Sequence, residues 1–497
     1  MLWLLRGELV LSDSLILLLG PVIWAAVVVV ALVTRRLERG TGVGLTALYL
    51  MLLAMIHVPG AIVHALPWFW RRGVDLVVAG FGQSLLGVIC FGLGALLLEP
   101  LTARLRPRSQ MPTTNDRQLT ERKAWAVGHR GRTPQPGALI ALPAGSGGAI
   151  FAQAPARAGQ VELAGIFILL GILSTLIFVP LTLGVPTGRS IAASLGQLLN
   201  IGLGLACWRA WQERHYGRLQ LWLLAACTLP LVTITLEGFL SFGIVALLSI
   251  LLFIASFIRI RLAWLILVPV LLYLGLSFFV TYMRDRETIR EVVWGGQSLG
   301  QRTDQVASTI AGFELFDPQN QAHLNAIDDR LNQNLLVGFA VGYLDTGLID
   351  YAHGDTFVEA MSALVPRVLW PEKPYTAGGS GLITRFTGVE FGANTSVGIG
   401  QVVEFYANFG TPGVCVGFLL LGWLVGFFDR RSAQALVGGD QLGFTFWYLP
   451  GLGLMQPGNS LAEMVTTVGA ALITALLVIH VLVPLLRAPR ITGLATR

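Results

Sequence analysis

Only 12% of the 497 residues are charged, and of the 34 basic ones just two, Lys123 and Lys373, are lysine. A soluble domain carries roughly 25% charged residues, so a freely soluble globular chain is excluded. With 54% hydrophobic residues and a mean hydropathy of +0.69, the chain reads as an all-α polytopic integral membrane protein. Cysteine is scarce too: Cys90, Cys207, Cys227 and Cys415 all lie in apolar runs without metal-ligand spacing, which makes them small core residues rather than a disulfide or zinc framework. No Gly-rich nucleotide turn, D-x-D pair or ATP motif occurs, so no cofactor and no metal are expected. The one adjacent acid pair, Asp328–Asp329 near Asn332 and Asn334, reads as a cation site or, more simply, as a solvated loop. The net charge of +6 comes from arginines that membrane topology puts at the cytoplasmic face, so no nucleic-acid partner is expected.

Long apolar runs, by contrast, are abundant. A hydrocarbon layer about 30 Å thick needs about 20 apolar residues per helix. Eleven segments qualify: 13–34, 43–66, 76–98, 161–184, 190–208, 219–236, 239–258, 262–282, 410–428, 442–461 and 465–486. The first is long for a signal-peptide core and is read as a span. Arginines follow every odd-numbered run, among them Arg35 and Arg36 after the first and Arg430 and Arg431 after the ninth. That pattern puts the N-terminus outside and the C-terminus in the cytoplasm. Five regions result: spans one to three in 1–103, a basic linker of disordered composition in 104–160, spans four to eight in 161–282, a large extracytoplasmic loop in 283–409, and the last three spans with the cytoplasmic tail in 410–497. The loop holds 15 of the 28 acids against eight bases. Within it, Leu335–Ile349 is apolar but carries Asp345 and three glycines, and reads as a re-entrant or interface-lying helix packed on protein.

Three stretches of this loop carry chemistry. In GDTFVEAMSALVPRVLWPEKP, residues 354–374, a short helix from Thr356 to Ala363 capped by Asp355 gives way to a proline-stiffened strap. The strap fixes Arg367 and Lys373 before a ligand arrives, with Trp370 at the membrane boundary. These cations suit a lipid-linked phosphate, or pair with acids such as Glu359 and Glu372. In VGIGQVVEFYANFGTPGV, residues 397–414, Glu404, Tyr406 and Asn408 sit at the outer mouth of the ninth span, and Gly410, Pro412 and Gly413 mark a break. Glu404 there either takes a proton from a sugar hydroxyl or pairs with an arginine such as Arg284 or Arg385. In YMRDRETIR, residues 282–290, Arg284 and Arg286 either grip phosphate oxygens or pair with their neighbouring acids. Asp355 and His353 are further acid–base candidates, and Glu237, in the short turn between spans six and seven, faces the same side.

The P-R-x-x-W-P-x-K-P strap followed by E-x-Y-x-N-F-G-x-x-G resembles the oligosaccharide repeat-unit polymerases, the Wzy-like O-antigen and exopolysaccharide polymerases. The motif likeness covers residues 354–428, and the span count and single large loop agree over most of the chain. The resemblance implies a GT-C-like membrane architecture of the O-antigen polymerase and ligase type, in the bacterial inner membrane. It also implies metal-independent, inverting transfer of a growing glycan between polyprenyl-pyrophosphate carriers, in the company of a flippase and a chain-length regulator. By position, Arg367 and Lys373 belong to the strap and Glu404 to the helix mouth. Asp355 and Glu359, read from the residues themselves, are further candidate catalytic carboxylates. Arg284, Arg286, Arg385, Tyr406 and Asn408 are the accompanying substrate-binding candidates. Relatives often carry an arginine in the turn that here holds Glu237, a departure at the pyrophosphate clamp. A ligase would use the same donor and residue types. A flippase or transporter would instead carry charged or broken segments in mid-membrane.

Overall fold

The computed structural model describes residues 11–69, 73–105, 163–182, 186–258, 264–365, 370, 372, 379–390 and 397–487. Among these every regular element is helical. Met1–Glu99 and Glu162–Arg497 make one compact unit; Pro100–Val161 is a second, of which only the first helical residues, 100–105, are described. The basic linker therefore lies almost wholly outside the described residues.

Nine described helices are long and apolar enough to cross a membrane: α1 (Leu15–Thr34), α2 (Leu45–Ala65), α3 (Val74–Leu105), α4 (Leu163–Leu181), α5 (Gly188–Gln212), α6 (Tyr216–Glu237), α8 (Ile266–Trp294), α14 (Gln401–Val437) and α16 (Leu461–Leu485). Each coincides with an expected span. The two expected spans left over hold shorter helices, α7 (Leu240–Ala255, 16 residues) and α15 (Gln441–Gly453, 13 residues). Between α8 and α14 lie α9 (Leu299–Ala311), α10 (Gln321–Arg330), α11 (Asn334–Asp345), α12 (Asp355–Ala363) and α13 (Gly379–Thr387). The packing is that of a membrane-embedded helical protein: Trp24, Tyr49, Phe81, Phe91, Phe253 and Phe418 are fully buried inside, while α1 and α8 turn leucine, isoleucine and valine outward. Cys207 is buried but Cys227 is exposed, so one of the four supposed core cysteines sits on the apolar exterior instead.

Arginines just after α1 and within α14 tie the helices together. Glu99, buried on α3, accepts from Arg35 Nη2 at 2.8 Å and from Arg430 Nε and Nη2 at 2.7 and 2.9 Å. Arg35 also donates to the carbonyls of Thr41, Gly426 and Ala95. The residue before Arg430, Asp429, caps α2: its Oδ1 accepts the N–H of Val43 at 2.6 Å, and its Oδ2 accepts the Thr46 hydroxyl at 2.6 Å. Arg36 donates to the carbonyls of Ala255 and Ile258 at the end of α7. One carboxylate between two guanidiniums thus pins α1, α3 and α14 together, since removing it would leave two cations desolvated and unpaired.

The loop is docked through a defect in α2. Pro59 has no N–H and disturbs the helix ladder, and the freed groups are taken up by the chain just before α11. Gly60 N–H donates to Leu331 O at 3.2 Å, and Ile56 O accepts from Gln333 N–H at 2.8 Å. A Cβ built at Gly60 would stand 2.3 Å from Asn332 Cβ, so only glycine admits this approach. Buried polar side chains continue the seam. Asp328 Oδ1 lies 2.9 Å from His64 Nε2 and accepts from Asn332 Nδ2 at 2.6 Å. Asn334 donates to Asn332 Oδ1 and to His57 O, and its own Oδ1 lies 2.7 Å from His57 Nδ1, beside Ser84. Asp328 is therefore no solvated loop residue: it is buried against a histidine on α2, whose distance in sequence hid the pairing. From here α11 packs along α3 and against α13 and α14, in keeping with a helix covered by protein rather than a further crossing.

Candidate functional site

The mouth of α14 is shaped by a sharp break. Phe409 (φ −144°, ψ 21°) and Gly410 (φ 64°, ψ −152°) leave helical geometry, and Gly410 sits in a region essentially reserved for glycine. In a straight helix Phe405 and Phe418 would stand about 20 Å apart; here their rings meet edge-on at 5.3 Å. Residues 401–408 are therefore a short helix folded back along the span. Glu404, Tyr406 and Asn408 consequently do not line an open mouth, as their position next to the ninth span suggested; all three are buried.

Each of these side chains has a defined partner. Glu404 is 1% exposed, and its Oε2 accepts the backbone N–H of Leu461, the first residue of α16, at 2.7 Å. The positive end of α16 thus faces this carboxylate. The anticipated arginine partner is absent among the described residues: Arg284 pairs with Asp285 and Glu314, and Arg385 lies 4.0 Å from Asp355. Asn408 donates to Thr356 Oγ1 and to Glu404 O, both at 2.7 Å, and accepts from Gly354 N–H at 2.9 Å. Tyr406 and Tyr351 both donate to Asp345 Oδ1, at 2.7 and 3.0 Å. Burial, followed by this bond to Asp345, raises the Tyr351 phenol above its ordinary value.

α12 completes the site. Its N-cap is Gly354 in the left-handed conformation, so Asp355 is the first helical residue and not the cap the sequence suggested. Gly354 reaches the Asn408 amide, which leaves Asp355 free to face Arg385. Thr356 points inward to Asn408, and one turn on Glu359 turns its Oε2 into the protein, where the atom is buried and has no hydrogen-bond partner among the described residues. Glu359 and Glu463 are the other carboxyl groups close to Glu404. Glu463 belongs to the capping box of α16 with Ser460.

The remaining candidates divide. Arg284 is held by Asp285, Glu314 and Gly312 O, and Arg286 by Glu287 among Arg290 and Arg330. None of these partners belongs to the Glu404 group, and their acid neighbours in sequence supply part of the pairing. His353 is exposed with φ 46°, and Trp370 and Glu372 are exposed. Arg367 and Lys373 lie outside the described residues. Among the described residues no cluster of His, Cys, Asp or Glu suits a metal ion. Sequence reasoning missed the His57–Asn334 and His64–Asp328 contacts. The signal was present in Pro59–Gly60 inside an apolar span, which marks a helix whose ladder needs an outside partner.

Fold and site together define an all-helical, membrane-embedded protein with a buried carboxylate group under a broken helix. The chain belongs to the DUF8712 family, described as a domain of unknown function, whose model matches residues 153–486, more than half of the chain. No curated protein and no solved structure matches it.

Proposed function

We propose that this protein is a repeat-unit polymerase of the Wzy-like kind, a GT-C-type glycosyltransferase of the bacterial inner membrane with its site on the outer face. The observation that carries the reading is the carboxylate pair: Glu404, buried and held by a helix N-terminus instead of an arginine, and Glu359, whose Oε2 is buried without a partner among the described residues. A general base needs an unengaged lone pair close to the hydroxyl it deprotonates. Glu359 takes that role, and Glu404, anchored by the Leu461 N–H, is the second carboxyl group of the site. The acceptor oxygen bonds to the anomeric carbon as the carbon–oxygen bond to the carrier pyrophosphate breaks, the hydroxyl proton passes to Glu359, and the pyrophosphate leaves on its lipid. Arg385, Arg367 and Lys373 neutralise the charge growing on that leaving group. Tyr406 and Asn408 hold the folded-back helix in place, and no metal or cofactor enters the reaction.

Eleven crossings, with the N-terminus outside and the C-terminus cytoplasmic, fit the short helices. α7 begins beside the end of α8, where Tyr282 donates to Gly238 O and Trp294 to Glu237 O, and finishes on Arg36 at the opposite end. α15 leaves the far end of α14, and the chain after it returns to Gln401, which bonds Gln456 O and Pro457 O. The test is incubation of purified protein with a polyprenyl-pyrophosphate oligosaccharide, without nucleotide or ion gradient. Longer lipid-linked glycans are the expected product; unchanged glycans would refute the assignment. Transfer to a different acceptor would identify the ligase chemistry that shares this donor.

One observation favours a flippase or transporter as the second reading. α2 carries Pro59–Gly60 within its length, where Gly60 N–H and Ile56 O bond outside the helix, and holds His57 and His64 buried among polar side chains, the kind of feature that marks a transport path. Movement of a lipid-linked glycan across proteoliposomes without elongation would decide for it.

A further inference from the structure

We infer that α12 is immersed in the bilayer and that its outer face is covered by lipid acyl chains. The inference does not depend on the glycosyltransferase reading. Val358, Met361, Leu364 and Val365 recur at helical spacing and form one exposed apolar stripe, with Val358 at 70% and Met361 at 63% exposure. On the opposite side Thr356 and Ala360 are buried, and Glu359 turns its Oε2 inward. Water is a poor neighbour for such a stripe, and the depth of the helix identifies a better one.

The beginning of α12 is fixed at Asn408 and its end runs down α16. Leu364 Cδ2 lies 3.0 Å from a Cβ built at Gly469, eight residues into the Leu461–Leu485 span. At 1.5 Å per residue Gly469 is about 12 Å below Leu461, and the whole 25-residue span is about 37 Å long. The hydrocarbon layer is about 30 Å thick, so at most about 7 Å of α16 protrudes on this side. Leu364 then meets α16 at least about 5 Å inside the hydrocarbon, and any tilt of α16 increases that depth. The stripe is also continuous in character with the outward face of α16, where Ile473 and Leu476 are exposed. α12 is therefore a wall one helix thick, with acyl chains on one side and Glu359 and Glu404 on the other.

Nitroxide labels introduced as Met361→Cys and, separately, Val358→Cys test this. The background has its four native cysteines replaced, and the protein is reconstituted in phosphatidylcholine–phosphatidylglycerol vesicles. Power saturation compares collisions with oxygen, which concentrates in hydrocarbon, and with a water-soluble nickel chelate. Oxygen should dominate at both positions, as at an Ile473→Cys control on α16, and the chelate should dominate at Asp355→Cys. Preference for the chelate at Met361 and Val358 would overturn the inference. Shielding from both reagents would overturn it as well, since a second copy of the chain or another segment would then cover the stripe. The two positions lie one turn apart, so a variant that fails to fold leaves the other to decide.

Discussion

Replacing Gly60 by alanine probes the seam on which the loop hangs. The added Cβ would meet Asn332 Cβ and Cγ, both at 2.3 Å. These atoms cannot swing away without moving the backbone that receives Gly60 N–H and donates to Ile56 O. Losing those two hydrogen bonds forfeits about 1 kcal/mol each, and overpacking a tight contact adds about 1–3 kcal/mol. Alanine returns about 1 kcal/mol through its better helix propensity. The expected net destabilisation is about 2–4 kcal/mol, read as a lowered midpoint of denaturant unfolding for the purified protein in detergent. Because the clash involves Asn332 Cβ, Asn332→Gly should relieve it, and the Gly60→Ala/Asn332→Gly pair should be less than additive by at least about 1 kcal/mol. Additive effects, or a Gly60→Ala variant as stable as the wild type, would refute the docking geometry.

Other consequences are open to measurement. Glu99→Gln leaves Arg35 and Arg430 without their carboxylate in a buried site and should destabilise by about 3–5 kcal/mol, with part of the loss recovered in Glu99→Gln/Arg430→Met; equal losses in the single and double variants would argue against the shared carboxylate. Gly410→Ala forces a side chain into φ 64°, ψ −152° and should cost about 1–3 kcal/mol, whereas Gly165→Ala, which meets nothing within 4 Å, should be close to neutral in the same unfolding assay. Tyr406→Phe removes the shorter of the two phenol bonds to Asp345 and should cost about 1 kcal/mol; an unchanged midpoint would mean that Tyr351 alone satisfies Asp345.

Much of the helical architecture was legible because length and hydropathy alone decide which helices are long enough to cross a membrane. Its glycines and Asp345 marked Leu335–Ile349 as a re-entrant or interface-lying helix instead of a crossing; α11 covers most of that stretch and packs on α3, α13 and α14. The break at Gly410 was legible from Gly410–x–Pro412–Gly413 in an apolar run. Partnership was not legible. Nothing in the local sequence says that Asp328 meets His64, that Glu99 sits between Arg35 and Arg430, or that Glu404 caps α16, because each contact joins residues 57 to 331 positions apart. The fold-back at Phe409 was missed for a related reason. A glycine–proline pair announces a break but not its angle, and the angle is what moves Glu404 from an open mouth into the interior.

The central claim, that a buried carboxylate pair activates a sugar hydroxyl for transfer from a lipid carrier, is tested most directly by elongation kinetics of Glu359→Gln and Glu404→Gln beside the wild type, each with its unfolding midpoint. Elongation should fall by at least 10²-fold in Glu359→Gln while the midpoint stays within a few degrees of wild type. Wild-type elongation by a folded Glu359→Gln protein would contradict the account.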